Sequence, residues 1–468
     1  MKTSMMKTVI LPILASLLLV VHFSFSQKAD NSEKSWKVGV ARTVITPREN
    51  MWMSGYAARN KPAEGTIHDL WAKAIALEDA RGNKALLITA DIIGYNREMS
   101  LSVCQQLMTK FNLKRENIVL SSSHTHSGPV INSNLFGIYP SFDERQKKQI
   151  SENLEFVKRQ MIDVATRAMS NLSPANISSG VGIARFAVNR RENDWTDANI
   201  YDADVKGPSD HVVQVFKVSD LSGIPTAVVF GYSCHATCLS LHQWSGDYPG
   251  FAQIALEQNN PGLTAMFFTG FAGDQNPSPR GGVIKAEQYG KELAVAVEKV
   301  MKGEGSNLDP AFSAKYEEIE LGINPPPSDK DLDEAISSAA EWHKQWAINM
   351  KAKKASGAKM EKSYPNYPIQ SWQLGEQSLA ILGGEVVVDY AFRLRAVLGN
   401  ELMIMGYAND VMAYIPSERV LMEGGYEGET SMYVYGHDGK WQSGIEDKIV
   451  NVAVRQIEEL RKEAGLKD

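Results

Sequence analysis

Short runs rich in valine, isoleucine, leucine and phenylalanine recur along the chain at 38–46, 86–93, 118–122, 211–218, 227–233 and 263–269. Each is short enough to be a buried strand, and longer helical patterns separate them. The clearest of these sets Ile150, Leu154, Val157, Met161, Val164 and Ala168 at alternating spacings of four and three, one apolar stripe on a charged helix. Further helices are predicted over 286–301, 331–354 and 447–463. Strands alternating with helices predict an α/β fold, a mixed β-sheet core flanked by helices, and no repeat or linker divides it. The expectation is one large catalytic domain over 27–468. The stretch 324–329 reads as an extended connector with Ser328 or Asp329 capping the next helix, and 351–364 as an exposed loop.

The amino terminus stands apart from that pattern. Lys2 and Lys7 precede an apolar stretch over 9–21, and small residues come before Gln27, so 1–26 is expected to be a cleaved signal peptide. The stretch is too short for a membrane span, and the mature chain is expected to be periplasmic or secreted, without a transmembrane segment. A formal charge of −6 without a long basic run argues against nucleic acid as a partner. Three cysteines, Cys104, Cys234 and Cys238, cannot form a disulfide framework, and Cys234 and Cys238 read as packing residues before zinc ligands.

The chemistry concentrates at strand ends. Ser123-His124-Thr125-His126-Ser127-Gly128-Pro129 places two imidazoles two residues apart after a buried strand. Extended backbone would aim both rings the same way, to share one cation or to divide metal binding from proton transfer. A second apolar strand ends at His235, and a third runs into Gly273-Asp274-Gln275-Asn276-Pro277. Strand ends are where α/β sheets assemble sites.

These segments, with Gly384-Glu385, Tyr426-Glu427-Gly428, Gly55-Tyr56-Ala57 and Ile67-His68-Asp69, resemble the neutral/alkaline non-lysosomal ceramidases, zinc amidases that cleave the N-acyl bond of ceramide. The likeness runs from Val38 to Tyr435-Gly436. It implies Zn2+ held by His124, His235, Glu385 and Tyr426, with His126 as acid/base. Asn189-Arg190 is similar to the family's Asn-Arg pair, which suggests that Arg190 holds an oxyanion or a polar substrate group. Asp274 and Asn276 occupy the family's Gly-Asp-x-Ser-Pro turn. Here Asn276 stands where the family has serine, so it can donate to an oxyanion but cannot attack a carbonyl. The long ceramidases' carboxyl-terminal β domain is not expected.

The function this implies is hydrolysis of an N-acyl amide by metal-activated water, with a small-molecule or lipid substrate and ceramide as the default. The alternatives are a different amide, ester or glycan-derived substrate, or a non-catalytic binding protein with a degenerate metal site. A metal-free glycosidase using Asp247 and Asp274 is the third reading. Neither a G-x-S-x-G elbow nor an H-E-x-x-H helix occurs.

Overall fold

The computed structural model describes residues 35–131, 135–139, 141–193, 205–303 and 305–466. The expected leader, 1–26, lies outside them. The described residues form a mixed sheet core flanked by helices, as predicted, but with two principal sheets instead of one.

Among the described residues the larger sheet has nine strands, ordered Thr264–Thr269, Pro225–Tyr232, Val212–Asp220, Ser173–Ile183, Trp36–Val44, Trp71–Glu78, Lys84–Ala90 and Ile118–Ser122, with Ser306–Asn307 paired off that path. Only the outermost pair at each end is parallel. The two edges nevertheless meet. Thr269 Oγ1 donates to the Ser122 carbonyl at 2.9 Å, and Lys73 Nζ reaches the Ala265 carbonyl at 2.7 Å. Curling of the sheet therefore brings the carboxyl ends of its two edge strands together, and the histidine-bearing loops start there.

The smaller sheet contains Phe312–Gly322, Ser363–Leu374, Gln377–Leu382 and Met403–Met405. One apolar cluster joins the sheets: Leu77, Leu87, Val119, Phe216 and Phe268 of the larger pack with Trp372, Leu379, Ile381 and Met405 of the smaller. Alternate residues of the larger sheet face helices Arg97–Phe111 and Glu144–Ser170 at one end and Asp247–Asn259 and Gly282–Lys302 at the other. Ile369, Leu382 and Ile404 of the smaller sheet pack against helices Asp389–Leu398 and Ile445–Glu463.

Two helix expectations need correction. The span 331–354 is two helices, Asp329–Ser338 and Glu341–Ala355. The Ser337 and Ser338 hydroxyls both donate to the Glu334 carbonyl, at 2.9 and 2.7 Å, and this side-chain competition for backbone marks the break. Ser328 does cap the first helix, accepting from the Asp331 amide. The exposed loop expected over 351–364 is shorter, because the second helix runs to Ala355 and a strand begins at Ser363. Buried Ala347 and Met350, with Lys353 bound to Asp438, hold that helix down.

Candidate active site and metal centre

His124 and His126 follow strand Ile118–Ser122, His235 follows Pro225–Tyr232, Asp274 and Asn276 follow Thr264–Thr269, and Glu385 follows Gln377–Leu382 of the smaller sheet. Strand alternation was the sequence argument for aiming His124 and His126 together, but the structure does it differently. The strand stops at Ser122, and His124 takes a left-handed backbone, φ 54°. That kink turns the rings toward each other, Nε2 to Nε2 at 3.2 Å. Such strain in a non-glycine residue persists only where its surroundings fix it, and it concentrates at functional sites. Gly55, at φ +98°, lies so close to the His126 ring that a Cβ would sit 2.6 Å from its Cγ.

Backbone carbonyls set the protons on two of the rings. His124 Nδ1 is 2.6 Å from the Ile93 carbonyl, and His235 Nδ1 is 2.7 Å from that of Ala272. A carbonyl only accepts, so each Nδ1 carries hydrogen and Nε2 is the nitrogen turned toward the site. Both Nε2 atoms face one atom, Glu385 Oε2, at 3.2 Å from His124 and 3.0 Å from His235. Burial, then the neighbouring charges, holds His126 well below the usual imidazole range; burial and then Arg190 lower His235 to about 4. Burial works to raise Glu385, but its contacts with His124 and His235 outweigh that and hold it well below the carboxylate range. Two imidazole nitrogens and a carboxylate oxygen converging in this way supply the donor set of a cation site. The buried nitrogens of His124, His126 and His235 lie within 4.8 Å of one another, and this group can hold a metal ion.

The phenols form an outer ring. Strand Glu385–Val386 pairs in parallel with Tyr414–Ile415, placing Glu385 beside Tyr414. Tyr414 Oη lies 3.2 Å from His235 Nε2, and Tyr435 Oη donates to Glu385 Oε1 at 2.5 Å. Tyr426 lines the same chamber, its ring centroid 5.2 Å from that of Tyr414, and the residue is 38% exposed. Sequence reasoning missed Tyr414, which sits in an apolar run that reads as packing. Tyr435 served there only to mark where the resemblance ends.

Arg190 is held between these groups. Its Nη2 donates to Tyr414 Oη at 3.1 Å, its Nε to Glu427 at 2.7 Å and its Nη1 to Asn276 Oδ1 at 3.4 Å. Asn276 also accepts from Thr237 Oγ1 at 3.3 Å. The Asp274 oxygens accept from Asn189 Nδ2 at 3.0 Å and the Val388 amide at 2.8 Å. Asp247 is likewise bound, accepting from the Cys238, Leu239 and Tyr248 amides, so both carboxyls of the glycosidase reading are engaged by other groups. Cys104, Cys234 and Cys238 are free and buried, in keeping with packing.

A cavity of about 140 Å³ lies against His124, His126, Glu385, Tyr414 and Tyr426, closed on the apolar side by Leu135, Ile138, Trp342 and Val434. A cavity of about 540 Å³ shares Gly55, Tyr56, His126, Tyr414 and Tyr426 with it, and one of about 930 Å³ shares Trp342.

With the geometry in place, comparison with known proteins is direct. The family model "Neutral/alkaline non-lysosomal ceramidase, N-terminal" matches residues 36–313. The chain belongs to this ceramidase family. Neutral ceramidase A of Dictyostelium discoideum is 26% identical over 272 residues, 54% of this chain and 37% of that protein. Neutral ceramidase of Pseudomonas aeruginosa is 24% identical over 276 residues, 56% of this chain and 40% of that one. The matched segment thus spans well under half the length of these curated ceramidases. The crystal structure of the Pseudomonas aeruginosa neutral ceramidase superposes with a TM-score of 0.70 at 17% identity, covering 92% of this chain and 75% of that one. The shared fold therefore extends beyond residue 313. Among the described residues no helix is long and apolar enough to cross a membrane.

Proposed function

We propose that this ceramidase-family chain is an exported zinc-dependent amidase, one catalytic domain over 27–468, that hydrolyses an N-acyl amide of ceramide type. The observation that carries the reading is the pair of Nε2 atoms meeting Glu385 Oε2 at 3.2 and 3.0 Å. Zinc bonds of about 2.0–2.1 Å put tetrahedral donors about 3.3 Å apart, so this spacing suits zinc. His124, His235 and Glu385 would hold it with a phenol, Tyr426 by family resemblance. Bound there, zinc supplies Lewis acidity, lowering the pKa of water and polarising a carbonyl oxygen.

The chain's own groups do the rest. Neutral, buried His126 takes a proton at Nε2 and returns it to the departing amine. Arg190, fixed by Glu427, presents its guanidinium beside Tyr414 and Asn276, where a developing oxyanion or a polar group of the substrate is met. Asp274 keeps that wall in place by tying Asn189 to Val388. Ile93 and Ala272 carbonyls hold the two ligand rings in their working tautomer.

The test is metal analysis joined to turnover. The purified chain should carry one zinc per molecule and cleave N-acyl amides, and His124→Ala should lose both. Full turnover in the zinc-free protein or in His124→Ala would sink the reading.

A further inference from the structure

We infer that Arg59 is a positioning residue: together with Gly55 and Tyr56 it fixes the His126 ring in the place from which a proton is exchanged with the substrate. This rests on the amidase reading above, in which His126 carries that proton, and adds the group that holds His126 still.

His124 and His235 each have Nδ1 tied to a backbone carbonyl, but His126 Nδ1 is buried and has no hydrogen-bond partner among the described residues. Its Nε2 meets His124 Nε2 at 3.2 Å, the atom that the zinc reading commits to the metal. The torsion that turns an imidazole about its Cβ–Cγ bond is soft, so packing has to hold this ring. Gly55 and Tyr56 supply it. A Cβ on Gly55 would lie 2.6 Å from His126 Nδ1, and the Tyr56 ring is centred 4.8 Å from the imidazole, tilted by 53°.

Arg59 secures that segment. Its Cζ is 4.9 Å from the centre of the Tyr56 ring, within the reach of a cation–π contact. Its Nη1 donates to the Ser54 carbonyl and its Nη2 to the Leu241 carbonyl at 3.2 Å. The Ser54 amide in turn donates to the Gly128 carbonyl at 2.9 Å, two residues past His126, and Leu241 lies six residues past His235. One guanidinium thus ties 54–59 to both histidine loops. Arg59 is only 7% exposed, and the side chains that act on its charge are two phenols, Tyr56 and Tyr139. A buried cation without a carboxylate is costly, and a neutral donor could serve a single carbonyl; the planar fork is what spans two. Arg59 lines neither cavity that His126 lines, so its effect on the reaction passes through these neighbours.

The full-length zinc-loaded protein is compared with Arg59→Met and Arg59→Lys in cleavage of N-hexadecanoylsphingosine, each alone and combined with His126→Ala. Arg59→Met should lose about tenfold or more in kcat, with KM within about twofold and one zinc per molecule retained. Arg59→Lys keeps the charge without the fork and should recover little of that loss; it also carries the test should the first variant not fold. In His126→Ala the same replacements should change the remaining kcat less than about twofold. A fall carried by KM, a loss of zinc, full recovery in Arg59→Lys, or an equal further loss in His126→Ala overturns the assignment. Should no amide be cleaved, the amidase reading fails; in that case, as where His126→Ala leaves no measurable rate, nitrogen NMR of the imidazoles decides the positioning. Replacing Arg59 should shift or broaden the His126 signals and leave those of His124 and His235 in place, and unmoved His126 signals reject it.

Discussion

At the scale of single residues the open assignment is the phenol. Tyr426 carries the family resemblance, whereas Tyr414 already stands 3.2 Å from His235 Nε2 and is held by Arg190 at 3.1 Å. Zinc affinity separates the two. If Tyr426 is the ligand, Tyr426→Phe should weaken binding at least tenfold in a competitive chelator titration while Tyr414→Phe changes it less, and the reverse order would hand the role to Tyr414. A second residue makes a pH prediction. Burial raises Asp410 from an ordinary 3.8 to about 7, against the lowering effect of its bond from Tyr364. The folded state therefore holds a proton that the unfolded chain releases, so this contribution to stability is complete below about pH 4 and is lost as pH rises through 7. Asp410→Asn keeps an oxygen for Tyr364 and should flatten the fall in urea midpoint between pH 4 and 7. An unchanged slope would show that Asp410 is ionised in the fold.

At the scale of elements, the sequence patterns that proved readable were those with one clear period. The stripe Ile150 to Ala168 is the helix Glu144–Ser170, and strand Ile118–Ser122 has the bounds its apolar run suggests. The smaller sheet escaped notice because its strands hide their pattern. Ser363–Leu374 carries two prolines and two glutamines, and Phe312–Gly322 is half-buried along most of its length, most of its charges included. Their burial comes from tertiary packing, against Trp36 and Phe216 across the sheets, and no local period encodes it. His124 and His126 were legible as a pair, yet for the wrong reason, since a left-handed residue and not a pleat aims them. Tyr414 could not be found from sequence because its role depends on parallel pairing with Glu385, a contact that residue type does not announce.

For the whole molecule, the proposed donors come from both sheets: two imidazoles from the larger, the carboxylate from the loop after the smaller. A cation gripped by all three binds only the folded arrangement and so stabilises it by mass action. Stripping the metal with a strong chelator at neutral pH should lower Tm by several degrees, and readdition of zinc should restore it. The same chelation of Glu385→Gln should shift Tm less. Equal shifts in both proteins would place the bound metal elsewhere. The family match over 36–313 covers His124, His126 and His235 but stops short of Glu385, Tyr414 and Tyr426. This distribution has a consequence for biosynthesis. A chain emerging from the ribosome owns its imidazoles long before it owns the acid that completes the cage. On the zinc reading proposed above, the site is complete only once the chain around residue 385 has folded back against the larger sheet.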